Sequence, residues 1–265
     1  MFANLRQVFR YRALVSSLVA RELKARYRGS VLGFLWTFAN PLLLLGIYTF
    51  VFTVMMPGSR AGTRIEPYAV FLLCGILPWT WFQTSVLESC TVLVAGGNLI
   101  RKVLFPAEIL PIVTVLTGLV NFGFSLIILA GFLAYYARPV SIGEIAWLPL
   151  IVLVQLTFTL GLALLLSSLT VHFRDLRDLV GNLMTLWFWG TPIIYSVSEV
   201  PERFRWLLAL NPLTHLAVAY QNVLFLDGPF EAWPSLLWLG AASLALLTVA
   251  YFVFDRLRDT LAEEV

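Results

Sequence analysis

The sequence predicts an all-α integral membrane protein with six transmembrane helices, an N-terminal amphipathic interfacial helix and both termini in the cytoplasm. Three observations carry this. Apolar residue types make up 60% of the 265 residues and charged ones 12%, against about 25% charged in an ordinary soluble domain. The charges are clumped, with long uncharged stretches between them. No alternating ten-residue strand pattern is present, and an open sheet cannot span lipid.

A bilayer core of about 30 Å takes roughly 20 apolar residues as helix. Six segments reach that scale, approximately 31–55, 68–92, 109–136, 145–170, 179–195 and 236–254. The excess of Lys and Arg in cytoplasmic loops orients them. With the N-terminus inside, the outer pieces hold only Arg60, Arg64, Arg138, Arg203 and Arg205, and the inner pieces hold the rest of the 18 basic residues. Both termini are therefore expected inside. A seventh span over 207–226 is disfavoured. The pre-proline restriction at Asn211 breaks a helix there, and His215, Gln221 and Asn222 are costly in lipid. This stretch reads as two short helices dipping toward the membrane from the outer side.

The first 30 residues carry Arg6, Arg10, Arg12, Arg21, Lys24, Arg26 and Arg28. Leu5, Val8, Phe9 and Leu14, Val15, Leu18, Val19 recur among them at helical spacing, as in a basic helix lying on the inner membrane surface. The segment lacks the clean apolar core and cleavage site of a signal peptide. No repeat or low-complexity linker divides the chain, so 1–265 reads as one domain: 1–30 interfacial, 31–254 spans, with 197–232 forming the outer short helices. Cys74 and Cys90 lie 16 positions apart, roughly 24 Å along a helix, too far to pair within it.

Several chemistries are missing from the sequence. It contains no GxxxxGK[ST] phosphate loop, no HExxH, no Cys/His cluster at metal spacing and no GxSxG elbow. His172 and His215 fall on opposite sides of the membrane in this topology. Glu88 is the acid within a span; an intramembrane acid can mark a proton relay, but pairing with a basic group at the cytoplasmic surface is the expectation. Any transport must be driven from outside the chain.

Two cytoplasmic loops are suited to docking. The first runs Gly96-Gly97-Asn98-Leu99-Ile100-Arg101-Lys102-Val103-Leu104-Phe105-Pro106-Ala107-Glu108. Glycines end the preceding helix, Asn98 can cap a short amphipathic segment, and Pro106 stops it. The alternative is an ordinary turn. The second carries Phe173-Arg174-Asp175-Leu176-Arg177-Asp178. It sets Arg174 and Asp178 at helical i,i+4 spacing and places acids where a helix dipole favours them. Among the aromatics, Tyr48 and Phe52 on the first span and Trp187, Phe188, Trp189 and Tyr195 on the fifth lie within apolar segments. They are candidates for a channel lining on which sugar rings slide; core or lipid-facing packing is the alternative. Pro41, Pro78, Pro111, Pro149 and Pro192 recur where spans begin or bend.

These features in this order resemble the permease subunit of type-2 ABC exporters, in the branch that moves polysaccharides. The resemblance rests on Leu23-Lys24-Ala25-Arg26-Tyr27-Arg28-Gly29-Ser30-Val31-Leu32-Gly33 with Trp36 and Pro41, and on 98–106 with Pro111. It rests also on Phe173-Arg174-Asp175-Leu176, Thr191-Pro192-Ile193-Ile194-Tyr195, Val200-Pro201-Glu202 and Asn211-Pro212-Leu213-Thr214. It covers nearly the whole length. It implies a homodimer with two copies of a separate P-loop ATPase that binds ATP and magnesium, so that this chain holds no cofactor and is not itself an enzyme. Asn98, Leu99, Ile100, Arg101, Lys102, Phe105, Pro106 and Glu108 would form the coupling helix, with Arg174 and Asp175 also at the ATPase. The basic N-terminal helix would help seat the ATPase, the outer short helices would resemble a gate, and the first and fifth spans would line the channel. A lipid-linked polysaccharide (O-antigen, capsule or a similar glycan) is the implied substrate and the cell inner membrane the implied location, with membrane lipids around it and no nucleic acid. Phe173 stands where the family often has Tyr, which removes a hydroxyl. Export of a small lipid or drug by the same fold is the alternative. An intramembrane enzyme or a secondary carrier finds no constellation beyond Glu88.

Overall fold

The computed structural model describes residues 11–26, 28–55, 65–97, 106–137, 141–226 and 228–264. Among them are helices and turns but no strand. Helix α1 is Arg12–Arg26. A 3-10 turn, Gly33–Leu35, runs into α2, Trp36–Phe50, which ends in a π turn, Val51–Met55. Then follow α3 Tyr68–Ala95, α4 Ile109–Tyr135, the single turn α5 Ile142–Ile145, α6 Leu148–His172 and α7 Leu176–Trp189. The chain closes with α8 Glu202–Leu210, α9 Pro212–Leu224 and α10 Trp233–Glu264. Among the described residues, 5 helical rods are long and apolar enough to cross a bilayer: Gly33–Met55, Tyr68–Ala95, Ile109–Tyr135, Gly143–His172 and Trp233–Arg258.

Helix α3 is the axis of the bundle. It touches α2, α4, α6, α7 and α9, while α10 lies along α6. The central core is aromatic. Phe82 stacks on Phe158, meets Trp187 edge-on, and tilts against Trp79. Glycines let α3 approach its neighbours. A Cβ on Gly118 of α4 would stand 2.5 Å from Ser85 Oγ and 2.8 Å from Trp81. Prolines begin α6 and α9, where a missing N–H costs nothing. Pro41 and Pro78 sit inside α2 and α3, and Gln155 Nε2 donates to the Pro78 carbonyl at 2.8 Å.

Within the described residues, helix α1 puts Leu14, Val15, Leu18 and Val19 on one stripe and changes its destination; Leu5, Val8 and Phe9 lie outside the described residues. Val15 and Leu18 are buried with Tyr11, Leu14 and Val19 around them, but their stripe lies on Ile109, Val113 and Leu116 of α4. The apolar face is covered by protein rather than by lipid alone, and Arg12, Arg21, Lys24 and Arg26 remain on the exposed side.

The fifth apolar segment departs from expectation. It is helical only over the 14 residues Leu176–Trp189, about 21 Å. Gly190 follows as the C-cap, and Pro192 bars its predecessor from helical geometry. Residues 190–195 leave the helix yet stay in the protein, with Thr191, Ile193 and Ile194 buried. Non-helical backbone at membrane depth survives only where protein satisfies it, and here side chains do so. Asn211 Nδ2 donates to the Gly190 carbonyl at 3.0 Å, Gln221 Nε2 to that of Pro192 at 2.8 Å, and Tyr68 Oη to that of Ile194 at 3.1 Å. Gly75 makes room: a Cβ there would lie 3.1 Å from the Ile193 Cα. Asn211 also caps α9 through the Leu213 N–H and accepts from Trp187 Nε1 at 2.7 Å. One carboxamide thus holds the end of α7, the break between α8 and α9, and the start of α9.

Candidate functional site

Of the residues assigned to the first docking loop, Asn98, Leu99, Ile100, Arg101, Lys102 and Phe105 lie outside the described residues. Its foot is described and is sunk in the bundle. Pro106, Ala107 and Glu108 are all buried. Their carbonyls accept from Ile109, Leu110 and Ile112 and start α4. Ala107 belongs to an apolar cluster with Leu93, Leu164, Val171, Ala250 and Phe254, which ties the loop to the ends of α3, α6 and α10. Glu108 is only 2% exposed. Tyr251 Oη of α10 donates to its Oε1 at 3.2 Å, and its Oε2 has no hydrogen-bond partner. The foot of the loop is thus tied to α10 by a buried hydrogen bond and to α4 through the backbone. Helix α1 rests its apolar stripe on the first turns of the same helix α4.

The second loop is laid open. Phe173, Arg174 and Asp175 are all exposed. Helix α7 begins at Leu176, which leaves Arg174 in the turn ahead of it, and among the described residues Arg174 makes no ion pair with Asp178. The acids do fall at the helix start, with Asp175 at the N-cap position and Asp178 in the first turn, where the dipole favours them.

An ionic seam runs from the end of α1 to α3. Arg26, the last residue of α1, meets Glu88 of α3 at 2.5 Å and Glu22 at 3.9 Å. The acid within the second span is thus paired with a basic group at the bundle end. Beside it, Glu88 and Thr91 of α3 face Arg177, Asp178 and Asn182 of α7 across a groove of about 610 Å³.

The candidate channel aromatics divide. Tyr48 and Phe52 of the first rod stack with centroids 6.4 Å apart, and Tyr48 meets Phe188 at 5.9 Å. Phe188 and Trp187 are drawn into the core, against Trp79 at 5.5 Å and Phe82 at 5.5 Å. Trp189 turns outward with 54% of its surface exposed, and Tyr195 Oη donates to its carbonyl at 3.0 Å. On the outward side α7 presents Leu179, Leu183, Leu186 and Trp189, and α2 presents Leu42, Leu43, Ile47 and Phe50. These two apolar faces flank α3.

The profile described as ABC-2 type transporter matches residues 13–225, from α1 to the end of α9. The chain belongs to the ABC-2 transporter family. It is a multi-pass membrane protein of that family, whose domain is the transmembrane component. Among curated relatives, it is 41% identical to the O-antigen export system permease protein RfbA of Myxococcus xanthus, over 100% of each chain. It is 33% identical to a protein of the same name from Klebsiella pneumoniae, over 94% of each. The polysialic acid transport protein KpsM of Escherichia coli is 23% identical over 91% of this chain and 92% of its own.

Sequence reasoning noted Asn211 and Gln221 only as helix-breaking or costly groups, not as partners of broken backbone, and it missed Asn40, Asn121 and Gln155, which are neutral and inconspicuous among apolar runs. An inventory of every amide within a span would have found them, because a buried polar group in lipid demands a partner.

Proposed function

We propose that this chain is the membrane subunit of an ATP-driven exporter that carries a lipid-linked polysaccharide across the cytoplasmic membrane. The observation that carries the reading is full-length identity at 41% to a permease named for O-antigen export. A relative named for polysialic acid transport supports a glycan rather than a drug. Nucleotide and magnesium belong to a separate ATPase, of which two copies dock on the 98–108 loop, on Arg174-Asp175 and on the basic face of α1. The translocating unit is a homodimer. Its support is the resemblance to two-subunit exporters; the outward apolar faces on α2 and α7 are where a second copy, in place of lipid, would lie. Six passes with both ends inside follow if α7 and the chain at 190–195 together cross the bilayer.

Deletion of the gene is expected to trap the glycan inside the cell, and the wild-type chain with its ATPase to restore it at the surface. Normal surface glycan in the deletion strain sinks the reading. Purified chain alone is expected to hydrolyse no ATP. Ile47→Cys is expected to yield an oxidised dimer in membranes, and an extracellular C-terminal reporter would overturn the topology.

A further inference from the structure

The carboxamide of Gln155 on α6 is only half engaged, although the residue is 1% exposed. Its Nε2 donates to the Pro78 carbonyl of α3 at 2.8 Å, and among the described residues its Oε1 meets no hydrogen-bond donor. Turning the amide over gives no relief. It would set Oε1 against the Pro78 carbonyl and give up the one bond the group makes. A buried amide oxygen without a donor is costly, and more so in a bundle surrounded by lipid.

Beside this amide lies a cavity of about 20 Å³, where α3, α6, the crossing at 190–195 and α9 meet; Pro78, Gln155, Thr191 and Leu216 are in its lining. A single water takes about 10–15 Å³ or a little more, so the space suits one water and nothing larger. Cavities that stay dry are apolar throughout, and this one carries an amide oxygen still to be met. No charged side chain lines it, so a cation there would lie uncompensated. The occupant that fits is small, neutral and able to donate. A second acceptor stands ready for it. Thr191 Oγ1 donates to the Trp187 carbonyl at 2.7 Å and accepts from Asn211 Nδ2 at 3.0 Å, and a hydroxyl oxygen can accept twice. We propose that the cavity binds one ordered water, which donates to Gln155 Oε1 and to Thr191 Oγ1. The water closes a polar chain that otherwise stands in two pieces. One piece joins α3 to α6 through the Pro78 carbonyl and Gln155. The other is Thr191, Asn211 and Trp187, which holds the end of α7 and the start of α9. Bridged, the proline-bearing axis and the non-helical crossing form one network. Ordered water is a recognised way to satisfy polar groups near a proline within a span.

The test is X-ray hydroxyl-radical footprinting of the full chain in lipid nanodiscs, read by mass spectrometry. The beam splits water where it lies, and the radical hydroxylates the side chains next to it. Leu213 and Leu216 line the cavity and are 4% and 3% exposed. Leu72 and Leu73, both 0% exposed and outside its lining, are the dry controls. In the wild-type chain Leu213 and Leu216 are expected to be hydroxylated and the controls to stay unlabelled. Gln155→Leu is close in size and cannot accept, so it is expected to bring both leucines down to the level of the controls. Exposed Phe173 calibrates the dose, and size-exclusion elution reports whether the variant folds. If Gln155→Leu does not fold, Thr191→Val keeps the shape, removes the other acceptor and carries the same expectation. Unlabelled Leu213 and Leu216 in the wild-type chain overturn the proposal. So does labelling that persists in the folded variant, which would mean that water passes through the cavity without being held by these groups.

Discussion

Helices α2 and α3 are both long, apolar and interrupted by one proline, yet they meet opposite fates. Of the most apolar stretch of each rod, 78% is buried in α3 and 11% in that of α2. The buried helix has the lowest mean hydropathy of the five. In water this would be backwards. In a bilayer, lipid tails are as apolar as leucine, so apolarity does not drive a helix to the centre. Small and polar residues, and aromatics that interlock, do so instead. Helix α3 carries Gly75, Cys74, Ser85, Ser89 and five aromatic core residues, Tyr68, Phe71, Trp79, Trp81 and Phe82. Helix α2 carries Leu42-Leu43-Leu44-Leu45, of which Leu42 and Leu43 face outward.

The comparison is broken most directly at its two aromatic extremes. Phe82 is 0% exposed and Phe50 is 55% exposed. Phe82→Ala is expected to cost about 3–5 kcal/mol, the usual loss for a buried ring with its cavity. Phe50→Ala should stay within about 0.5 kcal/mol, as outward positions do. Unfolding in mixed detergent and SDS measures both. Equal losses would mean that α3 is not the axis.

Glycines sharpen the same contrast. Gly118→Val drives a side chain into Ser85 and Trp81, whereas Gly46 of α2 has nothing within 4 Å of its added Cβ. The first is expected to destabilise by about 1–3 kcal/mol through overpacking, the second to leave the melting temperature of the purified chain unchanged. A neutral Gly118→Val would show that α3 and α4 can separate without loss.

How far this architecture can be read from residues depends on what each residue reports. Span positions were legible because the change from charged to apolar is abrupt at Tyr68, Ile109 and His172. The break at Asn211 was legible because Pro212 restricts its neighbour. The early end of α7 was not, although Gly190 and Pro192 stood in plain view. Hydropathy continues through Ile193 and Ile194 and is blind to backbone hydrogen bonds, which here pass to Asn211, Gln221 and Tyr68. The partner of Glu88 was expected as a class, a basic group, but nothing local selects Arg26, 62 positions away. Nor does a helix that is apolar on every side announce which face is core. Phe188 and Trp189 are adjacent and alike, and the fold buries one and exposes the other.

A smaller effect tests how α1 joins the axis. The Arg26–Glu88 pair is partly exposed, with 28% and 44% of the two side chains accessible. Solvent screening therefore holds its worth to about 1 kcal/mol or less. Arg26→Gln is expected to speed hydrogen exchange in α1 by no more than about fivefold, and adding Glu88→Gln should do little more, since the two act as a unit. Exchange reaching α3 as well would mean that α1 braces the central helix rather than resting on it.

The smallest expected effect is a pH response in the same helix. Burial pushes the Glu22 carboxyl up from its ordinary value of 4.5; Arg26 and Arg21 oppose this, and Glu88 adds to it. A raised folded pKa means the docked helix holds a proton that the detached helix releases. Docking is then weakest above the raised value and gains as pH falls from there toward 4.5. Exchange in α1, corrected for its intrinsic pH dependence, is expected to slow slightly over that window, and Glu22→Gln to flatten the response. Release of α1 on acidification would overturn this assignment, while firmer docking that Glu22→Gln abolishes assigns control of the helix to its own desolvated carboxyl.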